Sequence, residues 1–297
     1  AAPRVTGAKR IAAQPRNVII DYSHPNVAKE MHVGHIRSTV IGDSLSRVLE
    51  ALGHRVIRQN HVGDWGTQFG MLIEQLVDVG EGHAASIADL DAFYKQARMK
   101  FDTDPAFAER ARQRVVLLQG GDEPTLVRWR LLTGASRSYF ATVYERLGVK
   151  LRDEDIRGES VYNPLLAGVV TELEAKGLAV ESDGAICVFP AGFTARDGSP
   201  LPLIVRKRDG GFGYATTDLA AIRERTQTIK ATRILYVIGA AQQQHLGMVY
   251  AVAKSAGWLA SPARAEHVAF GSILGPDKKP FKTRDGETVR LAALLEE

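Results

Sequence analysis

The feature that most limits how this chain can fold is a strand–helix–strand pattern across residues 17–61. Val18-Ile19-Ile20-Asp21-Tyr22 is a short apolar run of the kind that forms a strand buried on both faces. A polar turn follows. Ile36, Val40, Ile41, Leu45, Val48, Leu49 and Leu52 then recur at helical spacing as far as Gly53, a residue suited to ending a helix. Residues 55–60 read as a second strand. Strands joined through a helix pair in parallel, so the unit predicts an α/β, Rossmann-like fold with a parallel sheet.

The rest of the 297 residues, 45% of them hydrophobic, can bury one large core or two ordinary ones. Residues 1–15 read as a leader or linker, 16–75 as the first half of a nucleotide-binding fold, and 76–148 as a helical insertion. Residues 149–163 are expected to hold a central strand near 150–151 and a loop, followed by a helix over 163–176. Short strands joined by turns fill the connective insertion of 164–205. A second half at 206–275 alternates helix, strand, helix and a last strand at 267–273, and 276–297 reads as a loop and the start of a further region. The chain opens Ala-Ala-Pro without Met and stops in a helix-like segment, which suggests a fragment or a trimmed chain.

No apolar run approaches the ~20 residues of a membrane span and no signal peptide opens the chain, so a cytoplasmic protein without a membrane partner is expected. The lone Cys187 excludes an internal disulfide and reads as a small buried hydrophobe. A net charge of +4 permits an anionic partner without identifying one.

The chemistry concentrates between the first strand and first helix, in Pro25-Asn26-Val27-Ala28-Lys29-Glu30-Met31-His32-Val33-Gly34-His35. Unpaired amides and the helix dipole there favour an anion. Two imidazoles three residues apart can donate hydrogen bonds to a triphosphate whose charge grows during attack, with Gly34 permitting close approach. A zinc site is disfavoured, since no third ligand follows at metalloprotease spacing. Two incidental surface histidines remain the bland alternative.

The surrounding words narrow the reading. Asp21-Tyr22-Ser23-His24-Pro25-Asn26-Val27-Ala28-Lys29, His32-Val33-Gly34-His35 and Asn60-His61-Val62-Gly63-Asp64-Trp65-Gly66-Thr67-Gln68-Phe69-Gly70 closely resemble the arginyl-tRNA synthetases of class I. So do Gly158-Glu159-Ser160, Gly213-Tyr214-Ala215-Thr216-Thr217-Asp218-Leu219-Ala220, Gln242-Gln243-Gln244-His245 and Phe281-Lys282-Thr283-Arg284, in family order. Pro280, where Met is usual, and His24, where a small residue is common, depart from the pattern.

The resemblance implies an arginine–tRNA ligase core that binds L-arginine, ATP with Mg2+, and tRNA(Arg), and acts as a monomer. It also implies that the family's N-terminal and anticodon-binding domains are not in this chain, and that tRNA is commonly needed even for the first step. Asn26 and Gln242 would hold the amino and carboxylate end of arginine, with His32 nearby, and Glu159, Tyr214 and Asp218 would face its guanidinium. His32, Gly34, His35, His245, Gly271 and Lys282 would meet ATP. Lys29 would replace the cation missing from the second signature loop, Lys278 to Arg284, and Lys282 would assist it. Two alternatives stay open: a nucleotidylyltransferase sharing only the histidine signature, and a paralogue serving as a binding or regulatory module.

Overall fold

The computed structural model describes residues 12–80 and 90–272, together with Leu291 and Leu295. In chain order its first elements are β1 (Asn17–Asp21), α1 (Val33–Ala51), β2 (Arg55–Gln59), α2 (Thr67–Val79), α3 (Leu90–Thr103), α4 (Pro105–Gln119) and α5 (Glu123–Leu147). There follow α6 (Glu159–Ala175), β3 (Ala179–Ser182), β4 (Ala185–Val188), β5 (Leu203–Arg206), α7 (Tyr214–Arg223), β6 (Arg233–Tyr236), α8 (Gln243–Ser255) and β7 (Arg264–His267). The chain divides into two compact units, one of Ala1–Tyr22, Val40–Gln59 and Val161–Ser272, the other of Ser23–Thr39, Asn60–Ser160 and Ile273–Glu297.

The first unit holds a four-stranded sheet of order β2-β1-β6-β7, parallel throughout. β1 and β6 lie inside it, and Ile19, Ile20, Ile234 and Leu235 are buried, as a strand covered on both faces requires. A separate antiparallel sheet, β3-β4-β5, shares its apolar face with the same core through Val188, Leu203 and Val205. Trp258 and Cys187 are buried, and burial pushes the Cys187 thiol up, with Asp183 adding to it.

Three strands of the parallel sheet are tied at their C-terminal ends by one fully buried arginine. Arg225 donates to Asp21 at 2.6 Å and to Gln59 at 2.7 Å, and its guanidinium lies 5.1 Å from the Tyr236 ring. Burial opposes its charge, but Asp21 beside it more than compensates and holds Arg225 well above its ordinary value. The residue sits in a single π-turn, Glu224–Thr228, that continues α7.

The second unit contains α2 to α5. Gly70 of α2 packs against the Ala111 carbonyl of α4, where a Cβ would come within 2.1 Å, so the two helices approach closely at that point. The buried Glu74 of α2 accepts from Arg110 and Arg114 of α4. Asp104 and Asp122 cap α4 and α5 with side-chain hydrogen bonds, and left-handed Gly148 ends α5.

The parallel α/β architecture with a helical stretch and a small β-rich part matches the expectation from sequence, with four local corrections. No strand forms at 150–151: Arg152-Asp153-Glu154-Asp155 closes a 3-10 turn in which the Asp155 carboxylate accepts from the Arg152 amide, leaving an isolated bridge between Asn60 and Ile156. β7 falls at Arg264–His267, before the apolar residues expected to form it, because Glu266 is paired with Arg233 on β6 and with Arg264. α1 begins at Val33, so that His35 lies in its first turn and the helix does not wait until after it. α6 starts at Glu159, four residues before the expected Asn163. The leader residues 1–11 and the second signature loop, including Lys282 and Pro280, lie outside the described residues.

Candidate active site

The segment between β1 and α1 is held in an unusual backbone. Ser23, His24 and Ala28 adopt φ values of 80°, 54° and 60°, a left-handed region that non-glycine residues occupy at a cost. The amide of each is caught by a side-chain oxygen: Ser23 by Ser38 at 2.9 Å, His24 by Asn60 at 3.1 Å and Ala28 by Ser136 at 2.9 Å. Tyr144 completes the brace, its hydroxyl meeting Asn60 Nδ2 at 2.8 Å and Ser23 Oγ at 2.7 Å. Burial drives the Tyr144 phenol far up, so it stays protonated. Asn26 is exposed and pairs by an isolated bridge with Gly63, whose missing side chain makes room for the Asn26 amide oxygen.

The histidine pair is organised by its own main chain. His35 Nδ1 accepts from the His32 amide at 3.0 Å, and His32 Nδ1 accepts from the Gly34 amide at 3.0 Å. An imidazole that accepts at Nδ1 carries its proton on Nε2, so both rings are fixed as Nε2–H donors. Their centroids lie 4.0 Å apart. A Cβ on Gly34 would fall 2.7 Å from the His32 ring, so the glycine is needed for the imidazole to reach that amide. Burial and then Lys29 lower the His32 pKa. Burial, followed by His32, holds His35 down to about 3 against the opposing backbone bond from His32. Both rings are therefore neutral donors at physiological pH. The Lys29 ammonium rests 4.1 Å above the Tyr94 ring centroid. Glu159, half-buried, begins α6, and its amide donates to the Val62 carbonyl at 3.1 Å.

In the unit that carries the sheet, Tyr214 and Asp218 lie one turn apart on α7, as their spacing predicts, and both meet His245 at the start of α8. His245 Nε2 is 2.7 Å from Asp218 Oδ2, and the Tyr214 and His245 rings are 4.7 Å apart. Tyr214 is largely exposed. Gln242 is exposed at the end of a 3-10 turn, Ala240–Gln242, with Gly239 bridged to Phe270, so Gly271 follows directly on that bridge and is exposed. Residues read separately, His245 for ATP and Asp218 for arginine, are thus hydrogen-bonded to each other.

Sequence reasoning missed Ser38, Ser136, Asn60 and Tyr144. Asn60 at least falls inside the Asn-His-Val-Gly-Asp word, whereas nothing marks Tyr144 or Ser136 in a helix more than a hundred residues away. Among the described residues no group of three His, Cys, Asp or Glu side chains is arranged to hold a metal ion.

With this geometry in hand, likeness to known proteins is decisive. The family model described as tRNA synthetases class I (R), catalytic domain, matches residues 5–297. The chain belongs to that family. It is 58% identical over 287 residues to an arginine–tRNA ligase of Thermobifida fusca, covering 96% of this chain and 50% of that protein. An arginine–tRNA ligase of Nostoc punctiforme is 55% identical over 291 residues, with 96% and 49% covered. The chain thus spans about half the length of the curated class I relatives it matches. Among solved structures, arginyl-tRNA synthetase from Plasmodium falciparum superposes with a TM-score of 0.77 at 34% identity, over 90% of this chain and 45% of that one. The Thermus thermophilus arginyl-tRNA synthetase, at 20% identity and a TM-score of 0.70, shares the fold.

Proposed function

We propose that this chain is the catalytic core of an arginine–tRNA ligase, acting in the cytoplasm as a monomer on L-arginine, ATP and tRNA(Arg). In the first step an arginine carboxylate oxygen attacks the ATP α-phosphorus, the bond to the β-phosphate oxygen breaks, and pyrophosphate leaves with the electron pair. In the second, a hydroxyl of the terminal tRNA ribose attacks the arginyl carbonyl, AMP departs, and the hydroxyl proton is lost to the leaving phosphate or to water. Mg2+ would accompany ATP as part of the nucleotide substrate and would offset the charge of the triphosphate.

The family match over residues 5–297 supports the choice of arginine, and the locked pair of Nε2–H donors at the start of α1 is the observation that carries the adenylating chemistry. Neutral donors fixed by the main chain add no counter-charge that would bind ground-state ATP too tightly, and they strengthen as charge builds on the phosphate oxygens. Lys29 supplies charge for the departing pyrophosphate, with Lys282 assisting. Glu159 and Asp218 offer carboxylates to the guanidinium and Tyr214 its ring and hydroxyl, while Asn26 and Gln242 take the amino and carboxylate end. His245 orients the Asp218 carboxylate and, with Gly34 and Gly271, borders the nucleotide. The test is arginine-dependent exchange of pyrophosphate into ATP, with and without tRNA(Arg), on this chain and on any longer protein that contains it. Exchange that requires arginine and rises with tRNA is expected. Exchange indifferent to arginine in the longer protein overturns the reading.

A further inference from the structure

Residues 60–64 and 156–160 run side by side. Asn60 bridges Ile156, the Arg157 amide donates to the Asn60 carbonyl at 2.9 Å, and the Glu159 amide donates to the Val62 carbonyl at 3.1 Å. The pairing ends on the buried Asp64 side chain, which accepts from the Ser160 amide at 2.9 Å and from the Ser160 hydroxyl at 2.6 Å. Gly158 lies against the same carboxylate so closely that a Cβ would fall 2.1 Å from its Oδ2. α6 therefore begins after a residue with no side chain to cap it, and a carboxylate 96 positions earlier in the chain takes the cap's place.

This cap has more to do than most. Pro164 lies inside α6 and has no amide to give to the Ser160 carbonyl, so the first turn lacks one of its ladder bonds. Asp64 is itself anchored: the Trp129 indole donates to its carbonyl at 2.7 Å, and Trp65 packs edge-on against Trp129 at 5.9 Å. Burial raises the Asp64 carboxyl above its ordinary value, and the two Ser160 bonds pull the other way, toward the ionised form that a helix start favours.

We propose that Asp64 is a positioning residue for Glu159: by capping α6 through Ser160 it fixes where the first residue of that helix presents its carboxylate. The inference rests on the reading of Glu159 as a partner of the arginine guanidinium. Asp64 touches no reacting atom in this account and acts only through the start of α6.

The test compares Asp64→Asn, Ser160→Ala, Ser160→Thr and Glu159→Gln by calorimetric titration with arginine and, separately, with ATP, and follows amide exchange at residues 160–162. Asp64→Asn and Ser160→Ala should each raise the arginine dissociation constant about tenfold, the scale of a lost cap, with ATP affinity held within about twofold. The amides of the first turn should exchange faster in both. Ser160→Thr, which keeps the hydroxyl and the amide, should restore arginine affinity and protection. Should Glu159→Gln weaken arginine while Asp64→Asn and Ser160→Ala do not, the positioning role is wrong and the reading of Glu159 stands. Should Glu159→Gln leave arginine binding unchanged, the guanidinium assignment fails and the inference falls with it. Loss of arginine and ATP binding alike in Ser160→Ala, the milder variant, would mark a merely structural contact and overturn the proposal.

Discussion

At the scale of the residue, the histidine pair separates two roles that an imidazole can play on a phosphate, donating a hydrogen bond and carrying a charge. With Nδ1 of each ring taken by a backbone amide, only donation through Nε2 remains at neutral pH. His32→Ala and His35→Ala should therefore slow adenylate formation by about 10²–10³, the scale of one preorganised donor, and weaken ATP binding far less. Pre-steady-state adenylate formation at saturating tRNA checks this; variants that change only the apparent ATP dissociation constant would remove the donors from the transition state. The same burial has a cost in acid. Burial holds His35 down to about 3 when folded, against an ordinary value of 6.5 when unfolded, so below 6.5 the unfolded chain binds more protons. Stability from this residue is complete above that pH and drains away as pH falls toward 3, by on the order of 1 kcal/mol per pH unit. Urea unfolding at pH 7 and 5 should show a smaller acid loss in His35→Asn than in the parent chain, and equal losses would contradict the assigned protonation.

At the scale of the element, the Arg225 tie shows what periodicity could and could not reveal. Apolar runs marked β1 and β6 because a covered parallel strand must be apolar along most of its length, and helical spacing marked α1 because one face of it enters the core. β7 escaped that logic, being an edge strand whose charges pair with Arg233 instead of entering the core. α6 was placed late because its true start depends on Asp64, a contact that no local pattern displays. Arg225 lies in the charged stretch Arg223-Glu224-Arg225, where no apolar period marks a residue for burial. Removing either partner of its buried pair leaves the other charge unpaired, so Arg225→Met or Asp21→Asn should each cost about 3–5 kcal/mol in urea unfolding. The double variant should cost much less than the sum, and strict additivity would show that the two do not act as a pair.

At the scale of the whole molecule, the family was legible as words and their order, while the support beneath those words was not. The histidine signature, Glu159, Tyr214 and Asp218 stand in recognisable strings, but the side chains that brace Ser23, His24 and Ala28 are ordinary serines, an asparagine and a tyrosine, from 15 to 121 residues along the chain from the amides or hydroxyl they hold. A functional reading at this scale is best tested by selection between substrates. If two carboxylates and a tyrosine read a planar five-donor fork, lysine should be rejected by about 10³-fold or more in kcat/KM for activation, since an ammonium would leave their acceptors unmatched. Comparable use of the two amino acids would refute the arginine assignment and leave the fold untouched.

The four residues from His32 to His35 have one more implication. Each ring is locked by an amide from within the same tetrapeptide, and the glycine between them supplies the clearance, so the donor pair is a cassette that asks of its host a helix to begin and the burial that keeps both rings neutral. Such a cassette can be inherited, or grafted, wherever a host supplies those two things. Diversification among proteins that share it would then fall on the braces and the substrate carboxylates, and leave the cassette alone.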